Sequence, residues 1–261
     1  MKNHLELIQH SFSTILLDAI QFFPQNKKRV STESFGLLFG LKKETGYECD
    51  FAFPVGSVSK RTEDLVQPDQ KINEAIQSAK CLFSTSKWIG TYHSHPHDEY
   101  FEHWADPSNA DVGFAQYLNL PYMVIIALTR NGKKNKPLSL DFKVGSAGEY
   151  FYNKNKHPQD YPDAKLLNEE LNFIQGEFQK YFFTIRAYHF NGTSLRDVDL
   201  FSTEAELLQM LRDENVNVSD LTTAQTYHLR KIEYNLRNGG SGRSKENTEY
   251  HLNKIKMMSK I

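Results

Sequence analysis

The first part of the chain alternates between helical and strand spacing of its hydrophobic residues. Apolar side chains recur at helical spacing over residues 5–23 and predict a first helix that ends before Pro24. Large side chains at every second position of residues 33–41 predict a strand. A polar turn follows at residues 42–47, and residues 48–58 predict a second strand that pairs with the first.

Helices and strands continue to alternate in the next part of the chain. Residues 68–83 have helical spacing after a proline, and residues 87–95 predict a short strand. A proline beside acidic and hydroxyl residues opens a predicted helix at residues 106–118. The continuous apolar run at residues 122–129 predicts a buried strand, and residues 138–144 predict a partner strand.

The pattern of the following segment is less regular. Residues 164–181 carry leucine and aromatic side chains at helical spacing, which predicts a helix after a polar loop. Two predicted strands, residues 182–190 and 195–200, flank the dipeptide Asn191-Gly192. Because this dipeptide favours tight hairpin turns, the two strands are predicted to form a hairpin.

The end of the chain is predicted to be helical. Helices are predicted at residues 203–212 and 221–237, and a glycine-rich link then precedes a basic helix at residues 243–260. We therefore divide the chain into a main domain, residues 1–201, and a helical C-terminal extension, residues 202–261. The extension is either a solvated tail or a docking arm for a partner.

Composition narrows the class of protein. The net charge is −1 and 39% of the residues are hydrophobic, so the balance indicates no nucleic acid and no membrane as a partner. Polar residues interrupt the N-terminal segment, which lacks the apolar core of a signal peptide, and no stretch reaches the ~20 apolar residues of a membrane span. The two cysteines, Cys49 and Cys81, are expected to be reduced thiols. We expect a cytoplasmic protein.

Two histidines and an aspartate are candidate metal ligands. In a strand, His93 and His95 point to the same face, because side chains alternate, and can share one metal ion. Asp111 follows a helix start near Ser108, so its carboxylate can point back at the strand end. Two imidazoles and one carboxylate are the protein ligands of a catalytic zinc. Taken singly, each motif has a plainer interpretation, as ordinary histidines or as a helix capping box.

The order of these motifs resembles the JAMM (JAB/MPN+) zinc metallopeptidases. HSHP at residues 93–96, followed by PSNAD at residues 107–111, is similar to the metal-binding signature of that family. ESFGLLFG at residues 33–40 resembles the strand that carries the family's catalytic glutamate. The resemblance spans about residues 5–145 and resumes at residues 182–200, which look like the closing hairpin of prokaryotic members.

The resemblance implies both a fold and roles for individual residues. The fold would be the JAMM/MPN (cytidine-deaminase-like) fold of the α/β (α+β) class, with helices around a central mixed β-sheet. One Zn²⁺ per chain would be held by His93, His95 and Asp111. Glu33 would accept a proton from the attacking water and pass it to the leaving amine. Ser108 would donate a hydrogen bond to the developing oxyanion.

Two segments depart from the family pattern. Twelve residues separate His95 from Ser108, more than the family usually has, and loops tolerate such additions at low cost. The added loop is rich in histidine, acidic and aromatic residues. It is interpreted as a second metal site, as a flap facing the substrate, or as a structural loop anchored by Phe101 and Trp104. The other departure is an insertion at about residues 145–181, to which the sequence assigns no role.

The implied activity is hydrolysis of the isopeptide or peptide bond after the C-terminal glycine of a ubiquitin-like protein, in deconjugation or precursor processing. The resemblance to prokaryotic members implies a bacterial ubiquitin-like conjugation pathway in antiviral defence, with E1-like activating and E2-like conjugating enzymes as partners. Two alternatives remain open. One is a JAMM peptidase that processes a sulfur-carrier protein, and the other is a metal-free MPN scaffold in a complex.

Overall fold

A computed structural model describes most of the chain and shows an α+β fold, as predicted. The described residues are 3–23, 32–56, 58–61, 66–68, 72–82, 85–132, 134–216, 221–238 and 242–258. The strands are β1 (His4–Leu7), β2 (Phe35–Lys42), β3 (Gly46–Pro54), β4 (Val58–Arg61), β5 (Val66–Pro68), β6 (Lys87–His97), β7 (Tyr122–Arg130), β8 (Lys136–Phe151), β9 (Asp163–Gln179), β10 (Tyr181–Phe190) and β11 (Ser194–Ser202). The helices are α1 (Ser11–Phe22), α2 (Ile72–Leu82), α3 (Asn109–Leu118), α4 (Thr203–Asp213), α5 (Thr223–Asn238) and α6 (Gly242–Met258).

A large mixed sheet organises the described residues. Nine strands form one sheet that closes on itself in the order β1-β11-β8-β9-β10-β7-β6-β2-β3, and β4 pairs with β5 separately. Strand β6 lies between β2, to which it is antiparallel, and β7, to which it is parallel. Strand β6 is paired on both sides as far as His93, and beyond this residue His95 pairs with β7 alone.

The main core lies between this sheet and α1. Its buried side chains include Phe12 and Ile15 of α1 and Val124, Ile126 and Phe183 of the strands. Burial of apolar side chains contributes about 1.5–3 kcal/mol each. The hydroxyl of buried Tyr92 in β6 donates to Asp18 of α1 at 2.9 Å, so a polar contact also joins this helix to the strand of the candidate ligands.

The N-terminal prediction is wrong in its first residues. Residues 4–7 form strand β1, and the helix begins only at Ser11, not at residue 5. Leu5 and Leu7 are buried on one face of a strand that pairs in parallel with both β3 and β11. Gln9 then takes a positive φ of 56°, which separates the strand from the helix.

The helix predicted at residues 164–181 is also wrong, because this segment is strand β9. It pairs with β8 along most of its length and with β10 near its end. Leucine and aromatic residues are compatible with both structures, and the available strand partners decide between them. Most of the insertion at about residues 145–181 thus belongs to the main sheet, and residues 152–162 connect β8 to β9. In the segment predicted helical at residues 68–83, the helix begins at Ile72 and Pro68 ends β5.

The C-terminal helices agree with the predicted ones and share a core of their own. Leu211, Ile232, Leu252 and Ile255 are buried together in it. Helix α4 also contacts the main sheet, where the Leu140 N–H donates to the Gln209 side chain at 2.7 Å. None of the described helices is long and apolar enough to cross a membrane.

Candidate metal centre

Strand β6 carries both candidate histidine ligands on one face. The Nε2 atoms of His93 and His95 are 3.0 Å apart, and their ring centroids are separated by 4.9 Å. His93 lies opposite Phe35 of β2 and Ile125 of β7, which fix its backbone from both sides. The period-two spacing therefore brings the two imidazoles together, as the sequence predicts.

Helix α3 supplies the carboxylate. Asp111 Oδ1 lies 3.0 Å from His93 Nε2, and Oδ2 lies 3.4 Å from His95 Nε2. Ser108 is the N-cap of α3, and its hydroxyl accepts from the Asp111 N–H at 3.2 Å. The Asp111 carboxylate in turn accepts from the Ser108 N–H at 2.7 Å, which completes a capping box. The capping box and the candidate ligand set thus share the same aspartate.

These three residues fit a zinc ion by the chemistry of their donors. One ligand atom from each of His93, His95 and Asp111 lies within 4.8 Å of the others. Two imidazole nitrogens and one carboxylate oxygen match the protein ligands of catalytic zinc sites. Among the residues that the structure describes, these three form the group of metal-ligating side chains that lie close enough to share an ion.

Charged neighbours shift the pKa values of two candidate ligands, Asp111 and His93. Burial alone would raise the pKa of Asp111, but His93 and His95 beside it lower that pKa well below its usual range. Burial alone would lower the pKa of His93, whereas the carboxylates of Asp111 and Glu33 raise it. The site therefore favours positive charge, whether from a proton or from a metal ion.

Glu33 lies two residues before β2 and close to the candidate ligands. Ser34 and Ser94 hold the two strands together: the Ser34 N–H donates to Ser94 Oγ at 2.7 Å, and the Ser94 N–H donates to the Ser34 carbonyl at 3.2 Å. Glu33 is buried and lines a cavity of about 190 Å³ together with His95 and Ser108. The structure thus brings the predicted base, one predicted ligand and the predicted oxyanion donor to one cavity.

The Ser108 hydroxyl is already engaged in this structure. Ser108 Oγ donates to Asp111 Oδ2 at 2.8 Å while it accepts the helical N–H of Asp111. A hydroxyl has one proton to donate. Ser108 therefore has to leave its contact with Asp111 Oδ2 before it can donate to a substrate oxygen.

The added loop before α3 is anchored firmly. The Trp104 ring stacks on Phe182 with centroids 5.6 Å apart, and His97 Nε2 donates to the Trp104 carbonyl at 3.2 Å. Arg186 donates to Asp106 Oδ1 at 3.2 Å. Trp104 is buried as the anchoring interpretation predicts, whereas Phe101 is partly exposed. No second group of three metal ligands is found in this loop, all of which the structure describes.

The segment between β8 and β9 completes the cavity and caps α3. The first N–H groups of a helix have no partner within it. Here the Asn109 N–H donates to the Asp160 carbonyl at 2.8 Å, and the Ala110 N–H donates to the Pro158 carbonyl at 2.7 Å. Gln159 and Tyr161 consequently line the cavity beside the candidate site. Sequence reasoning missed both residues, because nothing in their local pattern indicates contact with α3.

Arg186 is another residue whose place only the structure shows. Its side chain is 11% exposed, and its guanidinium binds both Asp106 and Asp197, the latter through Nε at 3.1 Å and Nη2 at 2.9 Å. A charged residue within the apolar strand 182–190 was the available signal in the sequence. Buried charges require partners, so Arg186 links the added loop to β10 and β11.

Comparison with known proteins gives no family assignment. No family model matches the chain, and no curated protein matches it. Among solved structures, the chain is similar to the solution structure of protein DSY2949 from Desulfitobacterium hafniense, with 13% identity and a TM-score of 0.36. The match covers 76% of this chain and 92% of that protein. Similarity at this TM-score gives no information about the site.

Proposed function

We infer that the protein is a zinc-dependent isopeptidase of the JAMM type, with the JAMM/MPN fold that its motifs resemble. One observation carries this proposal: the cluster of His93, His95 and Asp111 adjoins a cavity that Glu33 and Ser108 line. Metal ligands, a base and a hydroxyl donor are the parts that metal-assisted hydrolysis of an amide requires. The metal-free scaffold has less support, because a scaffold needs none of these side chains together.

Each residue has a role that its position supports. His93, His95 and Asp111 would hold zinc, which supplies the Lewis acidity that polarises a carbonyl and acidifies water at neutral pH. The Glu33 carboxylate accepts a proton from the attacking water and passes it to the nitrogen of the leaving amine. Ser108 Oγ turns from Asp111 and donates to the developing oxyanion.

The proposed substrate is a ubiquitin-like protein joined through its C-terminal glycine to an amine. Support for this class comes from the ordered motifs, which resemble peptidases that deconjugate or process such proteins. The E1-like and E2-like partners and the role in bacterial antiviral defence are part of the same proposal. Free Cys49 and Cys81 are compatible with a reducing compartment such as the cytoplasm.

Metal content of the purified protein tests the site without any substrate. We expect about one zinc per chain in the wild type and its loss in His95→Ala. His97→Ala is the matched control, because His97 lies on the same face of β6 but contacts the Trp104 carbonyl. Wild type without zinc after reconstitution, or equal zinc in both variants, would contradict the metal centre.

Hydrolysis tests the reaction. The substrate is a peptide whose Gly-Gly terminus is joined to a lysine ε-amine, and it is compared with ubiquitin-like and sulfur-carrier proteins that have C-terminal extensions. Glu33→Gln should keep zinc but lower kcat by about 10²–10⁴-fold, because it removes the general base. Cleavage only of the sulfur-carrier fusion would favour that alternative. Retained activity in Glu33→Gln would contradict the role of Glu33.

A further inference from the structure

Trp104 holds a buried hydrogen-bond donor that the described part of the protein does not use. Its side chain is 3% exposed, and its Nε1 has no hydrogen-bond partner among the described residues. A buried donor without a partner costs about 1–3 kcal/mol, so nearly all such groups are paired. The other tryptophan follows this rule, since Trp88 Nε1 donates to the Gly90 carbonyl at 2.8 Å.

The unpaired indole N–H is also held in a fixed orientation. Trp104 stacks on Phe182 with an interplanar angle of 19°, and Tyr100 contacts its ring edge-on at 5.1 Å. The next residue is fixed as well, because the Tyr188 hydroxyl donates to the Ala105 carbonyl at 2.7 Å. Because these contacts hold the ring in place, the N–H cannot turn toward another described group to gain a partner.

The position of Trp104 indicates which ligand it meets. It lines the same cavity of about 190 Å³ as Glu33, His95 and Ser108. The carboxylates of Glu33 and Asp98 also line this cavity and disfavour an anionic ligand. An indole N–H can only donate. A neutral oxygen acceptor therefore fits, and the amide carbonyl is the one that a peptide substrate supplies.

We propose that the indole N–H of Trp104 binds a neutral amide carbonyl of the substrate, next to the bond that is cleaved. Trp104 is then a substrate-binding residue supplied by the added loop, and the loop forms a rigid wall of the substrate site. The identity of the amide rests on the proposed function, whereas the presence of a carbonyl subsite does not. No bond forms or breaks at Trp104.

Nuclear magnetic resonance of the indole groups tests this directly. The protein has two tryptophans, so ¹⁵N-labelled protein gives two indole signals, which Trp88→Phe and Trp104→Phe assign. One probe is N-acetylglycinamide with the wild type. The second is the Gly-Gly–lysine isopeptide with zinc-loaded Glu33→Gln, which binds without turnover. We expect the Trp104 indole proton to move downfield with each probe, and the Trp88 signal to stay.

Affinity of the isopeptide gives the second measurement. Trp104→Phe retains an aromatic ring against Phe182 but removes the N–H, and in the Glu33→Gln background it should weaken binding by about three- to tenfold. Trp88→Phe is the matched control and should leave the affinity unchanged. Zinc content and Tm identify any variant that has lost its fold. If Trp104→Phe is such a variant, the indole signal of Trp104 in the protein that retains this residue decides the result.

The outcomes separate this inference from the proposed function. A protein that binds no zinc and cleaves no isopeptide, but shows a Trp104 shift with N-acetylglycinamide, retains the carbonyl subsite while the peptidase proposal fails. A Trp104 signal that stays fixed with both probes overturns the inference. Unchanged isopeptide affinity in folded Trp104→Phe also overturns it, even if hydrolysis is demonstrated.

Discussion

The carboxylate of Asp111 accepts the Ser108 N–H at 2.7 Å through Oδ2, while its Oδ1 faces His93 Nε2 at 3.0 Å. One side chain therefore both caps a helix and completes the candidate ligand set. The cap fixes the carboxylate at the first turn of α3, and α3 is held in turn by the segment between β8 and β9. Metal binding and helix capping can nevertheless be separated by substitution.

Asp111→Asn is expected to separate them. The carboxamide oxygen can still accept the Ser108 N–H, so the free energy of unfolding of the metal-free protein should change by no more than about 1 kcal/mol. Zinc affinity should fall by more than about 100-fold, which is the largest loss typical of substitutions outside the ligand set. Ser108→Ala should have the opposite effect. Its free energy of unfolding should fall by about 1 kcal/mol, and it should still bind zinc at stoichiometric concentration. Zinc titration and urea denaturation measure both quantities.

Arg186→Met is expected to destabilise the protein strongly. It leaves the buried carboxylates of Asp106 and Asp197 without their cation, a loss that typically costs about 3–5 kcal/mol. The control is Arg196→Met, whose partner Glu169 is exposed, and which should cost less than about 1 kcal/mol. Urea denaturation compares them. Equal values for the two variants would show that the Arg186 network contributes no more than a surface ion pair.

Gly36→Ala is expected to disturb the contact between β2 and β6. An added Cβ would lie 2.1 Å from Cε1 of buried Tyr92, which the core and Asp18 hold in place. Overpacking of this kind costs about 1–3 kcal/mol. Gly56→Ala is the control, since a Cβ there meets nothing within 4 Å. Thermal denaturation should show a lower Tm for Gly36→Ala alone, and an equal Tm for both variants would contradict this packing.

The stability that His251 contributes in the C-terminal helices is expected to be lost at mildly acidic pH. Burial, His228 and Lys231 lower the pKa of His251, and the Nδ1 atoms of the two histidines are 2.8 Å apart. With a lowered folded-state pKa, the unfolded chain binds more protons below its own pKa of about 6.5. The contribution of His251 to stability is thus complete above that pH and is lost as the pH falls below it.

His251→Gln tests this contribution by difference. Burial and Arg196 lower the pKa of His189 in the same direction, so the substitution should remove only part of the pH dependence. The free energy of unfolding is measured between pH 7.5 and 5.5 for wild type, His251→Gln and the surface control His157→Gln. If the free energy of unfolding of His251→Gln changed with pH as steeply as that of the wild type, His251 would have the same pKa in the folded and unfolded states.

The local sequence determined the parts of the site that depend on short-range geometry. Alternation along a strand places His93 and His95 on one face, and a serine three residues before an acid caps a helix and fixes Asp111 at its first turn. The strands β6 and β7, the hairpin around Asn191-Gly192 and the C-terminal helices follow from the same local rules. The α+β class and the mixed sheet were implied by the resemblance of the ordered motifs, and the structure shows both.

The tertiary structure alone decided everything that depends on distant partners. Residues 4–7 and 163–179 are strands because β3, β8, β10 and β11 offer them free edges, although their own patterns permit helix. The same pairing carries the segment with Gln159 and Tyr161 to the start of α3, and Arg186 to Asp106. Hydrogen bonds and ion pairs between residues far apart in sequence leave no periodic trace, so no local pattern predicts them.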